Sequence, residues 1–154
     1  MTRGVSMLAL YFELGDDVYA IPARYVVEVV PKVGLREVAR APGWLAGMFA
    51  YRGGVLPVVD LCMRVFDSPC RDRLSSRIVV VERTPGDAVG RYGILVESVT
   101  QVRPLLAVSA ATVKIAEAPY VRGTVLDGGK LIQLLDVESV LPSDLLALPK
   151  AAGA

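Results

Sequence analysis

The chain has 154 residues, of which 53% are hydrophobic, 17 are lysine or arginine, 16 are aspartate or glutamate, and none is histidine. This length fits one ordinary domain or two very small ones with a shared core, and the apolar runs end well short of the roughly 18 residues that a membrane helix needs. The lack of histidine removes the commonest general base and metal ligand, and the balanced charge offers no basic stripe for nucleic acid.

The amino-terminal stretch carries one positive charge and a short apolar segment, and it reaches Glu13 without a small-residue cleavage site. It therefore does not match a secretory signal peptide. The two cysteines, Cys62 and Cys70, are too few for a disulfide framework and have no histidine to share a metal with. We expect a cytoplasmic protein with free thiols, no cofactor and no metal site.

Short segments rich in tyrosine, isoleucine and valine follow one another along the chain and alternate with turns at 15–17, 53–54, 85–87 and 127–129. Glycine in these turns adopts positive φ without strain, which favours tight hairpins. Several short strands within about 70 residues predict small closed β-barrels, because closure removes exposed strand edges. The predicted fold class is therefore all-β.

Helical patterns are few. Asp60 is followed by LCMRVF and Asp136 by VESVL, so each aspartate takes the position of a helix N-cap. We predict short helices after both aspartates and a third near the carboxyl terminus, capped by Ser143 or Asp144. Residues 147–154 are predicted to be a frayed tail.

The chain contains two related copies of one pattern. Tyr19 and Tyr92, which are 73 positions apart, begin matching segments that both end in proline. A second set of matches is 76 positions apart and pairs Gly47 with Gly123, Gly53 with Gly129, and Asp60 with Asp136. The repeat indicates two copies of a small β unit, at approximately 8–66 and 77–141, intertwined in one domain over 1–154.

The repeat separates structural candidates from functional ones. Asp60 recurs with its surroundings as Asp136, which favours a helix cap over a catalytic role. Arg52 does not recur, because Gly128 stands at its position in the second copy. The unshared arginine is therefore the candidate for function, and the alternative is an exposed hairpin arginine without a partner.

The ordered segments of the chain resemble the CheW-like coupling proteins of bacterial chemosensory arrays over roughly residues 8–141. These segments are ELGDDVYAIPARYVVEVV, PGWLAG, YRGGVLPVVDL, RIVVVE, YGILVESV and VRGTVLDGGKLIQLLDVESVL. The resemblance implies two five-stranded SH3-like barrels around a shared apolar seam, and no catalysis. It also implies an adaptor between the cytoplasmic tip of a transmembrane chemoreceptor and the CheW-like regulatory domain of a CheA-type histidine kinase.

The resemblance also implies a receptor-binding site, whose positions in this sequence are Val26, Glu28, Arg52, Ile78, Val79 and Gly93. An apolar groove between two barrels accommodates one helix face, and an arginine at its rim binds a carboxylate or caps helix carbonyls. Glu28 has an alternative role as a surface charge or as the ion-pair partner of Arg24 or Arg52.

The sequence departs from the family pattern just before this arginine. Where the chemotaxis members have Asn-Leu-Arg-Gly, this chain has Ala50 and Tyr51 before Arg52. The amide is lost, and Tyr51 adds an aromatic ring suited to an interface. Together with Trp44, this favours the coupling proteins of accessory clusters, such as Wsp-type surface-sensing systems.

Two other classes of function are weaker alternatives. A small barrel that binds oligonucleotides or another ligand needs aromatic residues interleaved with basic ones, and only 6% of this chain is aromatic. A carboxylate enzyme needs two acids close together, for example Glu97 with Glu28 or Asp127, and no spacing predicts this. We expect neither nucleic-acid binding nor direct membrane insertion.

Overall fold

A computed structural model describes residues 6–106, 110–111 and 120–140, with side chains for 7–105 and 120–140. The strands are β1 Ser6–Leu14, β2 Asp17–Pro22, β3 Val26–Pro31, β4 Leu45–Tyr51, β5 Gly54–Asp60, β6 Arg77–Glu82, β7 Arg91–Val96, β8 Ser98–Leu106, β9 Ala110–Ala111, β10 Val121–Asp127 and β11 Lys130–Leu135. The α-helices are α1 Leu61–Phe66 and α2 Val137–Val140, and Ala23–Tyr25 and Ala88–Gly90 form single 3₁₀ turns. The fold is mostly β, as expected.

Neither α-helix in the described part of the chain has the length and apolar character that crossing a bilayer requires.

The strands form two sheets. Sheet A has the order β8-β1-β2-β11-β10-β9, and sheet B has the order β3-β6-β7-β5-β4. The pairs β2–β11 and β5–β7 are parallel, and the other neighbours are antiparallel. Each sheet thus has one parallel pair, where a hairpin of one repeat copy lies beside a strand of the other.

Both copies of the repeat contribute strands to each sheet. Sheet A joins β1 and β2 of the first copy to β8, β10 and β11 of the second, and sheet B joins β3, β4 and β5 of the first copy to β6 and β7 of the second. The chain crosses between sheets after β2 and again after β7. The two copies have therefore exchanged strands, and neither sheet is the product of one copy.

The β-bulges in the two sheets fall at equivalent positions of the two copies of the repeat. The β3–β6 pairing skips Val27 and the β1–β8 pairing skips Thr100, which lies 73 positions later. The β4–β5 pairing skips Ala46 and the β10–β11 pairing skips Arg122, which lies 76 positions later. Bulges bend a strand and increase its twist, so these four positions curl both sheets in the same way.

Backbone pairing leaves both sheets open within the described residues, where we expected closed barrels. Side chains instead join the two edge strands of sheet B, and in sheet A they join the edge strand β8 to β10, which lies next to the other edge strand β9. Glu28 on β3 bonds Tyr51 on β4, and Arg103 on β8 pairs with Asp127 on β10. Each sheet is therefore curled, with side-chain bonds across the gap that a backbone ladder would close.

Three apolar clusters cover the sheets. The largest draws on both of them, with Phe12 and Tyr19 from sheet A and Val79 and Ile94 from sheet B. The other two each belong to one sheet, around Tyr11 in sheet A and around Ile78 in sheet B. Because Phe12 and Val79 are 0% exposed, the seam is filled by the chain's own side chains. Among the described residues, the seam has no open apolar groove of the kind expected for a partner helix.

Both helices begin at the repeated aspartates. The Asp60 carboxylate accepts a hydrogen bond from the backbone N–H of Met63 at 3.1 Å, and the Asp136 carboxylate accepts one from Glu138 at 3.1 Å. The backbone N–H groups of the two aspartates donate to the carbonyls of Trp44 and Tyr120, each at 2.7 Å. The aspartates are helix caps, and the third predicted helix and the tail lie outside the described residues.

Candidate functional site

Glu28, Tyr51 and Arg52 lie together at one end of sheet B, and we call them the rim cluster. Tyr51 is the last residue of β4 and Arg52 begins the turn to β5, while Glu28 lies on β3 at the opposite edge of the sheet. The Tyr51 hydroxyl donates a hydrogen bond to Glu28 Oε1, and Arg52 Nη2 donates to the same oxygen at 2.8 Å. Three predicted site residues thus meet in one cluster.

The turn between β4 and β5 places Arg52 in a conformation that few arginines adopt. Arg52 has a φ of 47° and Gly53 a φ of 79°, which is the two-residue hairpin turn with two left-handed residues. The equivalent turn in the second copy has Gly128 at 58° and Gly129 at 80°. A side chain in this region costs about 1–2 kcal/mol relative to glycine, so the first copy retains its arginine despite strain.

The rim cluster orients the Arg52 side chain and leaves it accessible. Its guanidinium lies 5.1 Å from the centre of the Tyr51 ring, a cation–π distance, while 58% of its side chain stays exposed. Burial and the hydrogen bond to Glu28 raise the pKa of Tyr51, so this hydroxyl stays a neutral donor at neutral pH. Of the partners considered for Glu28, the structure selects Arg52, since Arg24 lies over the Tyr25 ring.

The surface beside the rim cluster is partly apolar. Val55 at the start of β5 is 58% exposed and lies opposite Ala50 in the hairpin. The Phe49 ring packs edge-on against Tyr51 with their centres 6.0 Å apart. The hairpin tip therefore offers an oriented cation next to apolar surface, which suits binding of a protein segment.

The other predicted site residues have packing roles in this structure. Val26 is half-buried against the largest core cluster, and Ile78 and Val79 are 0% exposed. A Cβ at Gly93 would lie 2.7 Å from Ile78 Cγ2 and 3.1 Å from Val58 Cγ2, so this glycine is required by packing. These residues present little or no surface that a partner reaches, and their role in receptor binding stays a prediction.

Sequence reasoning missed the counterpart of the rim cluster on sheet A. Asp127, which occupies the position equivalent to Tyr51, pairs with Arg103 and accepts a hydrogen bond from the Tyr11 hydroxyl at 3.2 Å. The Arg103 guanidinium lies 4.0 Å from the centre of the Tyr11 ring. The 76-residue offset was the available signal, since it aligns the two hairpin tips. Their charges are reversed, because one tip carries Arg52 paired with an acid and the other carries Asp127 paired with an arginine.

The carboxylates of the enzyme alternative belong to separate clusters. Glu97 is 5% exposed and accepts hydrogen bonds from the backbone N–H groups of Gly15 at 2.8 Å and Arg71 at 2.7 Å. Burial favours a higher pKa for Glu97, but the hydrogen bonds from Arg71 and Gly15 lower it to about 2. Glu28 and Asp127 bond different partners on different sheets, so the described contacts form no catalytic pair.

Comparison with known proteins gives a consistent result. The sequence model of the CheW-like domain matches residues 8–145. Similar proteins include the chemotaxis protein CheW of Helicobacter pylori, 25% identical over 144 residues covering 86% of this chain and 80% of that protein. The chemotaxis protein CheW of Klebsiella aerogenes is 27% identical over 145 residues, covering 90% and 84%. The crystal structure of the scaffolding protein TtCheW from Thermoanaerobacter tengcongensis has the same fold, with a TM-score of 0.78, 22% identity, and coverage of 91% of this chain and 90% of that one.

Proposed function

This chain belongs to the CheW-like domain family, and from that premise we propose that it is a chemosensory adaptor joining a membrane-bound chemoreceptor to a CheA-type histidine kinase. The similar proteins bear the names of chemotaxis and scaffolding proteins, which supports a scaffold role. We propose that it acts without catalysis or a cofactor, in the cytoplasm, where a receptor's cytoplasmic tip is accessible.

The observation that carries the receptor-binding proposal is the exposed arginine of the rim cluster. Arg52 occupies a strained turn position, is oriented by Glu28, and has no counterpart in the second copy. Structural need alone favours glycine at such a position, as the second copy has. A binding role accounts for an arginine in its place.

The proposed contact lies at the hairpin tip, since the seam between the sheets is filled. A receptor tip is a helical hairpin, and one of its helices would lie with apolar residues against Val55. Arg52 would then bind a receptor carboxylate or the last carbonyls of a helix, as a planar guanidinium with several donors does well. Glu28 and Tyr51 position this guanidinium before binding, which reduces the ordering cost.

We propose a separate surface for the kinase regulatory domain, at the equivalent hairpin tip of sheet A. Leu126 and Leu131 lie directly opposite each other there and are 56% and 70% exposed. Exposed apolar pairs of this kind commonly mark protein interfaces. Two distinct tips allow one adaptor to hold both partners at once.

The experiment measures binding of the purified protein to a receptor-tip fragment and, separately, to the kinase regulatory domain. We expect Arg52→Glu to weaken receptor binding by about tenfold or more, since it places a like charge beside Glu28 and removes the cation. Kinase binding should stay unchanged. Arg73→Glu, which reverses an exposed charge in the loop before β6, is the matched control and should leave both affinities unaltered.

Two outcomes would contradict the proposal. Receptor binding that is unchanged in Arg52→Glu would remove the rim cluster from the interface. Loss of both affinities together with loss of the folded circular dichroism spectrum would give Arg52 a structural role only.

The finer assignments belong to the same proposal. We propose that the sheets are the walls of two SH3-like barrels within one domain, and that Tyr51 and Trp44 fit an accessory or surface-sensing receptor system. Neighbouring genes test the second point. A diguanylate cyclase response regulator beside a receptor and a kinase gene would support surface sensing, and flagellar genes would contradict it.

A further inference from the structure

We propose that Asp60, Cys62 and Cys70 form a binding site for a thiophilic metal ion such as Zn²⁺, at the end of sheet B opposite the rim cluster. One carboxylate oxygen and the two sulfur atoms lie within 4.8 Å of one another. Asp60 and Cys62 are buried, and Cys70 is half-buried. The sequence predicted no metal site because the two cysteines have no histidine to share a metal with, but the loop after α1 folds back and brings both of them to Asp60.

The distances fit one ion with a small adjustment. Zinc binds sulfur at about 2.3 Å and carboxylate oxygen at about 2.0–2.2 Å in a tetrahedron, so its donors are roughly 3.5–3.8 Å apart. The three donors therefore need to approach by on the order of 1 Å at most. Two thiolates with one carboxylate form a mixed set that borderline-soft cations accept, whereas hard cations such as Mg²⁺ prefer oxygen alone.

Backbone contacts hold the ligands in place. The Cys70 N–H donates to both Asp60 oxygens, at 3.2 Å and 3.1 Å, so the loop is anchored on the same carboxylate. Asp60 Oδ1 also accepts a hydrogen bond from the Met63 N–H. Among the described residues Oδ2 accepts only from Cys70, which leaves it a lone pair for a cation. Contacts of this kind orient metal ligands in known sites.

An open cleft gives access to this cluster. The cleft has a volume of about 520 Å³, and Asp60 and Cys70 form part of its wall. Lys32 and Asp72 also line the cleft, with their charged groups 3.2 Å apart. Water from the cleft would complete a four-coordinate site, the arrangement seen where a protein supplies three ligands.

The second copy of the repeat shows that capping does not need the thiols. Asp136 caps α2 as Asp60 caps α1, yet Glu138 and Leu146 stand at the positions of Cys62 and Cys70. The two cysteines are thus additions to a working cap, and they are the only thiols in the chain. Asp136 therefore provides an internal control without the sulfur ligands.

The test titrates the reduced full-length chain with Cd²⁺ and follows the ultraviolet absorption of cadmium–thiolate bonds. We expect one bound ion per chain and loss of this absorption in Cys70→Ser. Asp60→Asn, which retains a side-chain oxygen for the cap, should weaken binding about tenfold or more. The matched control Asp136→Asn should bind as the wild type does.

Zinc should also raise the thermal unfolding midpoint of the wild type and leave that of the Cys62→Ser/Cys70→Ser variant unchanged. If the double variant does not fold, Cys70→Ser alone serves, since Cys70 is only half-buried. Binding that persists without the cysteines would overturn the site. So would a reduced wild type that binds no cation but forms a Cys62–Cys70 disulfide on exposure to oxidised glutathione, since the pair would then be a redox pair.

Discussion

Glu97 joins three segments of the chain through one buried carboxylate. It accepts bonds from Gly15 in the β1–β2 turn and from the backbone and side chain of Arg71, while its own carbonyl accepts from the Ser75 hydroxyl at 2.7 Å. These bonds hold the loop before β6 against sheet A. A carboxylate so placed stabilises the fold only while it is ionised.

We therefore expect a pH-dependent contribution to stability from Glu97. Its folded-state pKa of about 2 lies below the ordinary 4.5, so the stabilisation is complete above pH 4.5 and is lost as pH falls towards 2. Urea unfolding should show Glu97→Gln less stable at pH 7 by on the order of 2 kcal/mol, a value that allows for solvent around Arg71, and the difference should vanish near pH 2. Asp72→Asn, which breaks an exposed ion pair, should cost less than about 1 kcal/mol. A pH-independent difference would refute this account.

Individual site residues were predictable from the sequence only when their chemistry differed between the copies. Arg52 stood out because its counterpart is glycine, and the structure places it on the surface. Ile78 and Val79 could not be judged, because an apolar strand residue has the same pattern whether it faces a core or a partner. The approach of Cys70 to Asp60 was also hidden, since it depends on the path of an irregular loop.

At the scale of single elements, variants of the β4–β5 hairpin separate the effect of backbone strain on stability from the effect of Arg52 on receptor binding. Arg52→Ala loses the bond to Glu28 but still places a side chain on a residue with left-handed backbone conformation. Arg52→Gly loses the same bond and also relieves the strain. We expect the glycine variant to have a free energy of unfolding about 1 kcal/mol higher than the alanine variant. Both should bind the receptor-tip fragment more weakly than the wild type. Equal stability of the two variants would show that the turn is not strained.

The packing of sheet B depends on the absence of a side chain at Gly93. An added methyl group would overlap Ile78 and Val58, so Gly93→Ala should lower the free energy of unfolding by about 1–3 kcal/mol. Gly123→Ala is the matched control, because a Cβ there has no neighbour within 4 Å among the described atoms, and its cost should stay below about 0.5 kcal/mol. Denaturant unfolding of both variants measures the difference in free energy of unfolding. Equal losses would mean that Gly93 is required for the flexibility of its strand and not for lack of space around it.

For the whole molecule, the repeat predicted two copies of a β unit but not how their strands pair. Two separate barrels and two strand-exchanged sheets bury the same alternating residues, such as Phe12 and Val79, so their hydrophobic patterns are identical. The choice between them depends on the connections after β2 and β7, where the chain crosses between sheets. The sequence predicted closed barrels, whereas both sheets are open within the described residues. Turn signals and alternation do not reveal whether the outer strands of a sheet meet through backbone or side-chain bonds.

The exchange predicts that neither copy folds alone. A fragment of residues 1–76 has β3, β4 and β5 but lacks β6 and β7, which lie between β3 and β5 in sheet B. A fragment of residues 77–154 likewise lacks β1 and β2 from the middle of sheet A. Each fragment alone should be unfolded by circular dichroism, because the largest core takes its residues from both copies.

An equimolar mixture of these fragments should recover the folded spectrum and a cooperative unfolding transition, with a midpoint that rises with concentration because folding now requires association. A mixture in which the 77–154 fragment carries Gly93→Ala is the matched control, and it should require a higher fragment concentration to recover the folded spectrum. Cooperative unfolding of either fragment by itself would show that each copy forms its own core. The exchanged strands would then be incidental to stability, whereas recovery only on mixing would make the two copies one folding unit.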